Sequence, residues 1–313
     1  MSSYSARERP PRTTHIAARA LDLTSGRPLA VVPVANPITV LIVVPTLDVG
    51  AAEINAVELV RILKGSGHHA IVVARAGRLL ADITATGAEF IPLNVASKNP
   101  LVMLRNAVVL IKLTRERRCD IIHALGRAGA WSACIAARLR GIPFVTSWYK
   151  GFREQNFFKR LYNGVMARGD RVVAACEQIA QLVNDRYGTP WEKLAVVPCS
   201  IDADRFDPAR VTHDRVVAMR QSWGVNDETK IILIVGRILR RKGHHVAVRA
   251  MQRLKGFGLT NFLCVFVGED RGHTNYTGEL WDLVLSTDTM DVIRMAAPVR
   301  DMAAAYKAAC VVV

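Results

Sequence analysis

Short apolar runs rich in β-branched residues alternate along this chain with longer segments of helical periodicity. The first run, Ile38–Val44, is followed by a turn and then by the helical segment Ala51–Lys64. Strands that are apolar throughout are typical of parallel sheets covered by helices on both faces. We therefore predict an α/β protein in which right-handed crossovers connect parallel strands.

The alternation continues through most of the chain. Further strands are predicted at Ala70–Ala74, Phe90–Leu93, Asp120–His123, Phe144–Ser147, Arg171–Ala174, Ile231–Val235, Phe262–Val267 and Val292–Met295. Further helices are predicted at Leu79–Thr86, Pro100–Arg118, Gly129–Arg140, Asn156–Arg168, Val211–Trp223, His244–Leu254, Thr277–Leu285 and Met302–Ala309. The two series of elements predict two Rossmann-like domains with a central cleft.

Domain boundaries follow from the same pattern. We predict a first domain at residues 38–205 and a second at residues 206–313. Residues 1–37 are rich in Arg, Ser and Pro, which predicts a disordered leader without a secretory signal. Because Cys310–Val313 has a strand pattern with no covering element after it, we expect the second domain to be incomplete.

The formal net charge of +15 predicts an anionic partner, which is a nucleic acid, a membrane surface or a phosphorylated ligand. Its two basic runs, Arg115–Arg118 and Arg240–Lys242, lack the interleaved aromatic residues of a nucleic-acid stacking platform. The six cysteines contain no C-x-x-C pair, which disfavours a zinc or redox site and indicates reduced residues of a cytoplasmic protein.

A basic turn follows the apolar run Ile231–Val235. The run stops at Gly236, and Arg237 and Lys242 follow it five residues apart. In open α/β sheets, ligands bind beyond the carboxyl ends of the strands, where helix N-termini present free N–H groups. An arginine and a lysine there can hold a diphosphate, the arginine through a bidentate fork and the lysine as a mobile point charge. A solvated basic turn explains the segment equally well.

Four segments carry a shared order and spacing: Val49–Glu53, Asp120–Trp131, Val196–Pro208 and Gly236–Gly243. They resemble the Gly-Gly-Ala-Glu turn, the D-I-V-H-A segment, the V-I-P-N-G-V-D hinge and the G-R…K-G clamp of GT-B glycosyltransferases of the family 4 type, also called glycosyl transferases group 1. These enzymes move a sugar from a nucleotide-sugar to an acceptor. The resemblance covers roughly Ile38 to Val313.

The resemblance implies roles on the donor side. Arg237 and Lys242 would be the catalytic cations that hold the donor diphosphate and stabilise the charge growing on it as the glycosidic bond breaks. Gly50, Gly236 and Glu269 would also bind the donor. At Gly50 a Cβ would obstruct the approach of the loop backbone. No metal and no separate cofactor are expected, since the nucleotide-sugar is itself a substrate.

The resemblance places Glu53, His123, Arg127 and Lys150 on the acceptor side. Glu53 is explained at least as well as an anion that stabilises a helix start. His123 is explained equally well as a structural histidine with satisfied hydrogen bonds. Arg127 is the better candidate for contact with a phosphate- or acid-bearing acceptor.

Two departures from the family pattern bear on activity. The histidine of the family's T-Y-H-G turn is replaced by Lys150, with one extra residue before it. Lys150 can bind the donor or an anionic acceptor, but it does not offer a neutral imidazole. The family's Glu-x7-Glu element has no counterpart before Val313, so the resemblance implies a chain truncated at its C-terminus.

Two further segments have competing interpretations. Asp202-Ala203-Asp204 matches the D-x-D pattern of metal-dependent glycosyltransferases, but it lies within the Val196–Pro208 segment, so we predict no metal there. The segment Phe152–Arg168 places Phe157, Phe158 and Leu161 at helical spacing beside basic residues. It is either an amphipathic helix for an anionic membrane surface or a core face with a solvated basic back.

Together with the resemblance, these observations favour a metal-independent glycosyltransferase, and the resemblance implies that it retains the anomeric configuration. It would move a sugar from a UDP- or GDP-sugar to a surface-polysaccharide, such as lipopolysaccharide, or to a lipid-linked glycan acceptor. We expect a cytoplasmic protein with peripheral contact at the inner face of the cell membrane. The alternatives are a non-catalytic or inactive GT-B-like fragment that binds anionic ligands, and an anion-binding protein acting on nucleic acid, a partner that we do not predict. No G-x-G-x-x-G turn follows either first strand, which disfavours a dehydrogenase.

Overall fold

The structure is a computed structural model that describes residues 36–48, 50–152, 156–270, 272 and 274–313. The predicted leader falls almost entirely outside these residues, as does Val49 of the first family motif. The chain divides into two compact units, one up to Ser200 and the other from Ile201. The sequence pattern placed this boundary between residues 205 and 206.

The strands carry the apolar runs of the sequence. Their bounds are Thr39–Thr46 (β1), His69–Arg75 (β2), Glu89–Pro92 (β3), Ile121–Ala124 (β4), Phe144–Trp148 (β5), Arg171–Ala174 (β6), Leu194–Val196 (β7), Lys230–Val235 (β8), Phe262–Val267 (β9), Ile293–Ala296 (β10) and Val311–Val312 (β11).

The helices lie between them. Their bounds are Ala51–Gly65 (α1), Leu80–Ala85 (α2), Pro100–Glu116 (α3), Arg127–Arg140 (α4), Phe157–Gly164 (α5), Glu177–Tyr187 (α6), His213–Ser222 (α7), His244–Gly256 (α8), Thr274–Ser286 (α9) and Met302–Ala308 (α10). Among the described residues, no helix has the length and apolar character that crossing a bilayer requires.

In the first unit, the described strands form one parallel sheet in the order β3-β2-β1-β4-β5-β6-β7. Its interior strand β1 is buried on both faces. Leu41 and Val43 pack into the core on one face, and Val40, Ile42 and Val44 pack into the core on the other. This two-sided burial explains why residues 40–44 are all apolar, as expected for a parallel sheet between helices.

In the second unit, the described strands form a parallel sheet in the order β10-β9-β8-β11. Leu233 and Val265 pack on one face, and Ile234 and Phe266 pack on the other. Both units are therefore Rossmann-like, and the predicted α/β class with two such domains is confirmed.

The main differences from the predicted elements lie between residues 156 and 200. The helix predicted at Asn156–Arg168 is an eight-residue α-helix, α5, followed by a one-turn 3-10 helix at Val165–Ala167. Helix α6 was not predicted. It is capped at its C-terminus by Gly188, whose φ of 63° is the left-handed conformation that favours glycine.

Candidate functional site

The carboxyl ends of β8 and β9 are joined by backbone contacts in the second unit. The Gly236 N–H donates to the Val267 carbonyl at 3.0 Å, and the Ile238 N–H donates to the Glu269 carbonyl at 3.2 Å. A Cβ at Gly268 would stand 2.0 Å from the Gly236 carbonyl oxygen. Glycine is therefore required at 268, and the segment after β8 begins at a fixed place.

We call residues Gly236–Gly243 the clamp loop, because the predicted donor cations lie on it. It opens at Gly236 with φ 147° and closes at Gly243 with φ 76°, both values that favour glycine. Between them Arg240–Lys242 form one turn of 3-10 helix. The Lys242 side chain lies back over Gly236, where its Cε is 3.7 Å from the place of a residue-236 Cβ.

The two predicted cations are exposed and available on this loop. Within the described residues, neither Arg237 nor Lys242 has a side-chain hydrogen bond or an ion pair. Helix α8 begins at His244 directly after the loop, and its N-cap residue Gly243 offers no side-chain cap. First-turn N–H groups and two unpaired cations make this strand end suited to bind a polyanion. The predicted donor residue Glu269 is partly buried at the neighbouring strand end, directly after β9.

His244 is fully buried beneath the clamp loop, with its ring edge-on to Phe266 at a centroid distance of 5.1 Å. Among the described residues, neither ring nitrogen has a hydrogen-bond partner of normal geometry. Burial lowers the pKa of His244, and the nearby Leu239 carbonyl partly offsets this. The ring is therefore neutral at physiological pH and serves the packing of the loop.

Helix α9 contacts the clamp loop through two side chains that the sequence analysis did not single out. Arg240 Nη2 donates to Glu279 Oε2, and the Arg240 guanidinium lies 5.2 Å from the Tyr276 ring centroid. The Tyr276 hydroxyl is 3.2 Å from His245 Nδ1. Unlike Arg237 and Lys242, the loop cation Arg240 is therefore paired with a carboxylate of the protein itself. The apolar spacing of Tyr276 with Leu280 predicts a shared helix face, but it does not predict the contact with Arg240.

The predicted residues of the first unit follow the carboxyl ends of neighbouring strands. Gly50 and Glu53 lie at the start of α1 after β1, and Arg127 is the first residue of α4 after β4. A Cβ at Gly126 would stand 2.3 Å from Pro45 Cγ, so the start of α4 packs closely against the end of β1. Because β1, β4 and β5 are adjacent, this part of the sheet gathers Gly50, Glu53, Arg127 and the residues after β5 at one edge.

His123 lies near the end of β4 and is hydrogen-bonded to the neighbouring strand. Its Nε2 is 2.7 Å from Ser147 Oγ on β5. Burial lowers the pKa of His123 from 6.5 to about 4, so the imidazole is neutral at physiological pH. The contact supports the structural interpretation of His123, and it also fixes the ring at the strand end.

Arg127 is held by aromatic packing. Its guanidinium lies 5.6 Å from the Trp148 ring centroid, and its Nε is buried without a hydrogen-bond partner among the described residues. Its positive charge acts to lower the pKa of Tyr162, although burial raises that pKa more strongly. A cation stacked on an aromatic ring keeps its remaining N–H groups directed to a ligand.

The two remaining predicted residues of the first unit are Lys150 and Glu53, and they differ in exposure. Lys150 is exposed just after β5. Glu53 is partly buried at the first turn of α1, and its carboxylate has no hydrogen-bond or ion-pair partner within the part of the chain that is described. A first-turn carboxylate stabilises the positive end of the helix dipole, as the structural interpretation requires.

The Asp202-Ala203-Asp204 segment has other contacts. Asp202 Oδ1 accepts from the Arg205 N–H at 3.0 Å, and Asp204 forms a 2.8 Å ion pair with Arg210. Across the described ranges, no three His, Cys, Asp or Glu side chains come together as a metal-binding group.

Comparisons with known proteins agree with the fold and the order of the motifs. Residues 52–205 match Glycosyltransferase Family 4, and residues 217–313 match Glycosyl transferases group 1. A D-inositol 3-phosphate glycosyltransferase from Kineococcus radiotolerans is 34% identical over 154 residues, which are 47% of this chain and 34% of that enzyme. Matches to other curated D-inositol 3-phosphate glycosyltransferases also span less than half of the relative's length.

Two solved structures show the same architecture. A glycosyltransferase from Rickettsia africae ESF-5 is 28% identical with a TM-score of 0.78, and the match covers 88% of this chain and 72% of that one. Anabaena HepE in complex with UDP-glucose is 17% identical with a TM-score of 0.72 and covers 88% and 73%. With both halves of the family matched in order, the chain belongs to the GT-B glycosyltransferases of the group 1, family 4 type.

Proposed function

We propose that this protein transfers a sugar from a nucleotide-sugar to an acceptor. The observation that carries the proposal is the clamp loop, where Arg237 and Lys242 stand unpaired among the described residues next to the first turn of α8. The matching HepE structure contains UDP-glucose, which supports a UDP-sugar as the donor. A GDP-sugar presents the same diphosphate and is the second donor to test.

The clamp loop would act on the leaving group. As the bond between the sugar and the diphosphate breaks, negative charge grows on the diphosphate oxygens. Arg237 and Lys242 would stabilise that charge electrostatically, because cations already in place need no reorganisation during the reaction. Gly236 supplies the positive φ at which the loop turns, and the Lys242 side chain lies over it. Retention of the anomeric configuration is part of the proposal and follows from the family.

The acceptor side points to an anionic acceptor. Arg127 lies over the Trp148 ring as the first residue of α4, and Lys150 is exposed after the adjacent strand. The Kineococcus relative is named for D-inositol 3-phosphate, which supports a phosphate-bearing polyol. A lipid-linked or surface-polysaccharide glycan is the other acceptor class, and it also carries phosphate when linked to a lipid diphosphate.

Exposed side chains on α5 support peripheral membrane contact in this proposal. Phe157 is 72% exposed, Phe158 is 78% exposed, and Lys159 and Arg160 are exposed beside them. Aromatic residues flanked by cations are typical of surfaces that bind anionic lipid. Sedimentation with phosphatidylglycerol vesicles tests this. The proposal is supported if the variant Phe157→Ser/Phe158→Ser no longer sediments with the vesicles while the equally exposed control variant Leu139→Ser/Phe257→Ser still does. Equal sedimentation of both variants contradicts it.

The enzymatic proposal is tested by nucleotide release. The chain would be incubated with UDP- or GDP-sugars and with D-inositol 3-phosphate or a lipid-linked glycan, and the released nucleotide and the glycosylated product would be measured. We expect Arg237→Ala and Lys242→Ala each to lower turnover by about 100-fold or more. Arg241→Ala removes the same charge from the exposed turn and serves as the control. UDP and GDP binding without turnover would favour the non-catalytic alternative, and the absence of nucleotide binding would refute the proposal.

A further inference from the structure

Two side chains of α9 that the proposed reaction does not use contact both sides of the turn that carries Lys242. Tyr276 stacks on Arg240, two residues before Lys242, and its hydroxyl reaches His245, three residues after it. Glu279 accepts a hydrogen bond from the same Arg240 guanidinium. Side chains of a single helix therefore contact residues that precede and follow Lys242 in the sequence.

The backbone of the turn couples these contacts to Lys242. The Lys242 N–H donates to the Leu239 carbonyl at 2.8 Å, and the Gly243 N–H donates to the Arg240 carbonyl at 3.2 Å. Because Arg240 and Lys242 belong to one short 3-10 turn, a shift of Arg240 moves the Lys242 backbone with it. The Lys242 side chain has no partner of its own among the described residues, so its place depends on this backbone.

We infer that Tyr276 and Glu279 are positioning residues for nucleoside diphosphate binding. Acting through Arg240 and His245, they keep the turn in the shape that aims Lys242 at the phosphates. Pairing with Glu279 also keeps Arg240 from competing with Lys242 and Arg237 for the same ligand oxygens. This inference rests on the proposed function of the clamp loop and adds the residues that arrange it.

Simple electrostatics makes the opposite prediction, which gives the inference a clear test. Removal of a carboxylate close to an anion-binding loop should tighten the binding of an anion, because a repulsive charge is lost and Arg240 is released. If Glu279 positions the loop, Glu279→Gln weakens binding instead. Asp282→Asn is the matched control, since Asp282 is an exposed acid on the same helix and its change alters the net charge equally.

Calorimetry of UDP and of uridine would measure the effect on the whole chain. We expect Glu279→Gln and Tyr276→Leu to weaken UDP binding about fivefold, near the upper range of one exposed pair. Uridine binding should not change, because uridine lacks the diphosphate. Tyr276→Phe, which keeps the ring over Arg240, should recover most of the affinity, and Asp282→Asn should bind UDP at least as tightly as the wild type. UDP binding by Glu279→Gln that equals or exceeds that of Asp282→Asn would overturn the inference.

Hydrogen exchange gives a second test that needs no ligand. We expect the amides of Lys242 and Gly243 to exchange several-fold faster in Tyr276→Leu and Glu279→Gln than in the wild type or in Asp282→Asn. Equal exchange in all four proteins would overturn the positioning role. Failure of the wild type to bind UDP would overturn the proposed function instead, and exchange would then decide the positioning role alone.

Discussion

The strand ends of the two units present their cations in different ways. In the second unit, Arg237 and Lys242 are exposed on a loop that backbone contacts fix at its start. In the first unit, Arg127 is partly buried against Trp148, and His123 is neutral and bonded to Ser147. The loop presents exposed positive charges to a ligand, whereas the first unit presents groups that are held in place by aromatic packing and a hydrogen bond.

The comparison separates two requirements of a transferase. A diphosphate is recognised mainly by charge, and flexible exposed cations can meet it if their backbone is held in place. An acceptor hydroxyl has to be oriented, and buried hydrogen-bonded groups do this better than mobile cations. In the second unit, we therefore expect changes to the backbone to affect ligand binding more than changes to single exposed side chains. In the first unit, we expect changes to the side chains to have the larger effect on ligand binding.

Gly268→Ala is expected to have the largest effect. The new Cβ would stand 2.0 Å from the Gly236 carbonyl oxygen, and the atoms that it meets belong to the backbone of Gly236 and Arg237, which cannot turn away as a flexible side chain can. We expect the free energy of unfolding to fall by about 2–4 kcal/mol, together with a loss of UDP binding. Urea denaturation and calorimetry measure the two effects. Unchanged stability would show that the ends of β8 and β9 are not tightly joined.

Acidification should destabilise the first unit through His123. The folded-state pKa of His123 is about 4, below its ordinary value of 6.5, so the unfolded chain binds the proton first. The free energy of unfolding should therefore fall as the pH drops from about 6.5 towards 4, by up to about 3 kcal/mol.

Denaturation as a function of pH measures this effect, and His123→Asn should reduce the slope of the free energy of unfolding against pH between about pH 6.5 and 4. His244 of the second unit also has a lowered pKa and contributes with the same sign. His244→Asn therefore distinguishes the contribution of the second unit from that of the first. Asp170 and Asp301 also have lowered pKa values, but they lose their contribution only below the ordinary Asp range. An unaltered slope in His123→Asn would contradict the assignment.

Arg127→Ala should affect the acceptor and spare the donor. In the proposed reaction with D-inositol 3-phosphate as acceptor, loss of a charge-assisted contact to its phosphate should raise the KM for that acceptor about tenfold, while UDP binding in the second unit should remain unchanged. Steady-state kinetics and UDP calorimetry distinguish the two. Arg140→Ala, an exposed change at the far end of the same helix, is the control. An equal rise in KM for both variants would point to general charge rather than to this contact.

Gly50→Ala should have the smallest effect on stability. Its φ of −163° suits any residue, and the new Cβ would meet only the flexible carboxylate of Glu53. We expect the free energy of unfolding to change by less than about 0.5 kcal/mol. Donor turnover should nevertheless fall if Gly50 approaches the sugar phosphate, and unchanged turnover would remove Gly50 from the donor residues.

Much of the fold can be predicted from the sequence because its cause is local. Strands β1, β8 and β9 each contain an uninterrupted apolar run, and burial on both faces explains such runs. The region of α5 was less predictable. Its spacing suits an amphipathic helix, yet Phe157, Phe158 and Leu161 are 72%, 78% and 48% exposed, which periodicity alone does not reveal.

The candidate site was predictable only in part for a similar reason. Arg237 and Lys242 follow the apolar run of β8, and ligands bind at the carboxyl ends of parallel strands, so both residues could be predicted as ligand-binding cations. The contacts that hold them depend on tertiary structure: Glu279 is 39 residues from Arg240 along the chain, and Ser147 is 24 residues from His123. No local sequence pattern predicts such pairs, because the two residues of each pair lie far apart in the sequence.

The contact of Gly268 with Gly236 also has a consequence for folding. The clamp loop takes its shape only after β9 has docked on β8, since the Gly236 and Ile238 N–H groups donate to carbonyls at the end of β9. The diphosphate site that we propose therefore requires the assembled second sheet. UDP binding during refolding would therefore report on the completed pairing of these two strands rather than on the collapse of the chain.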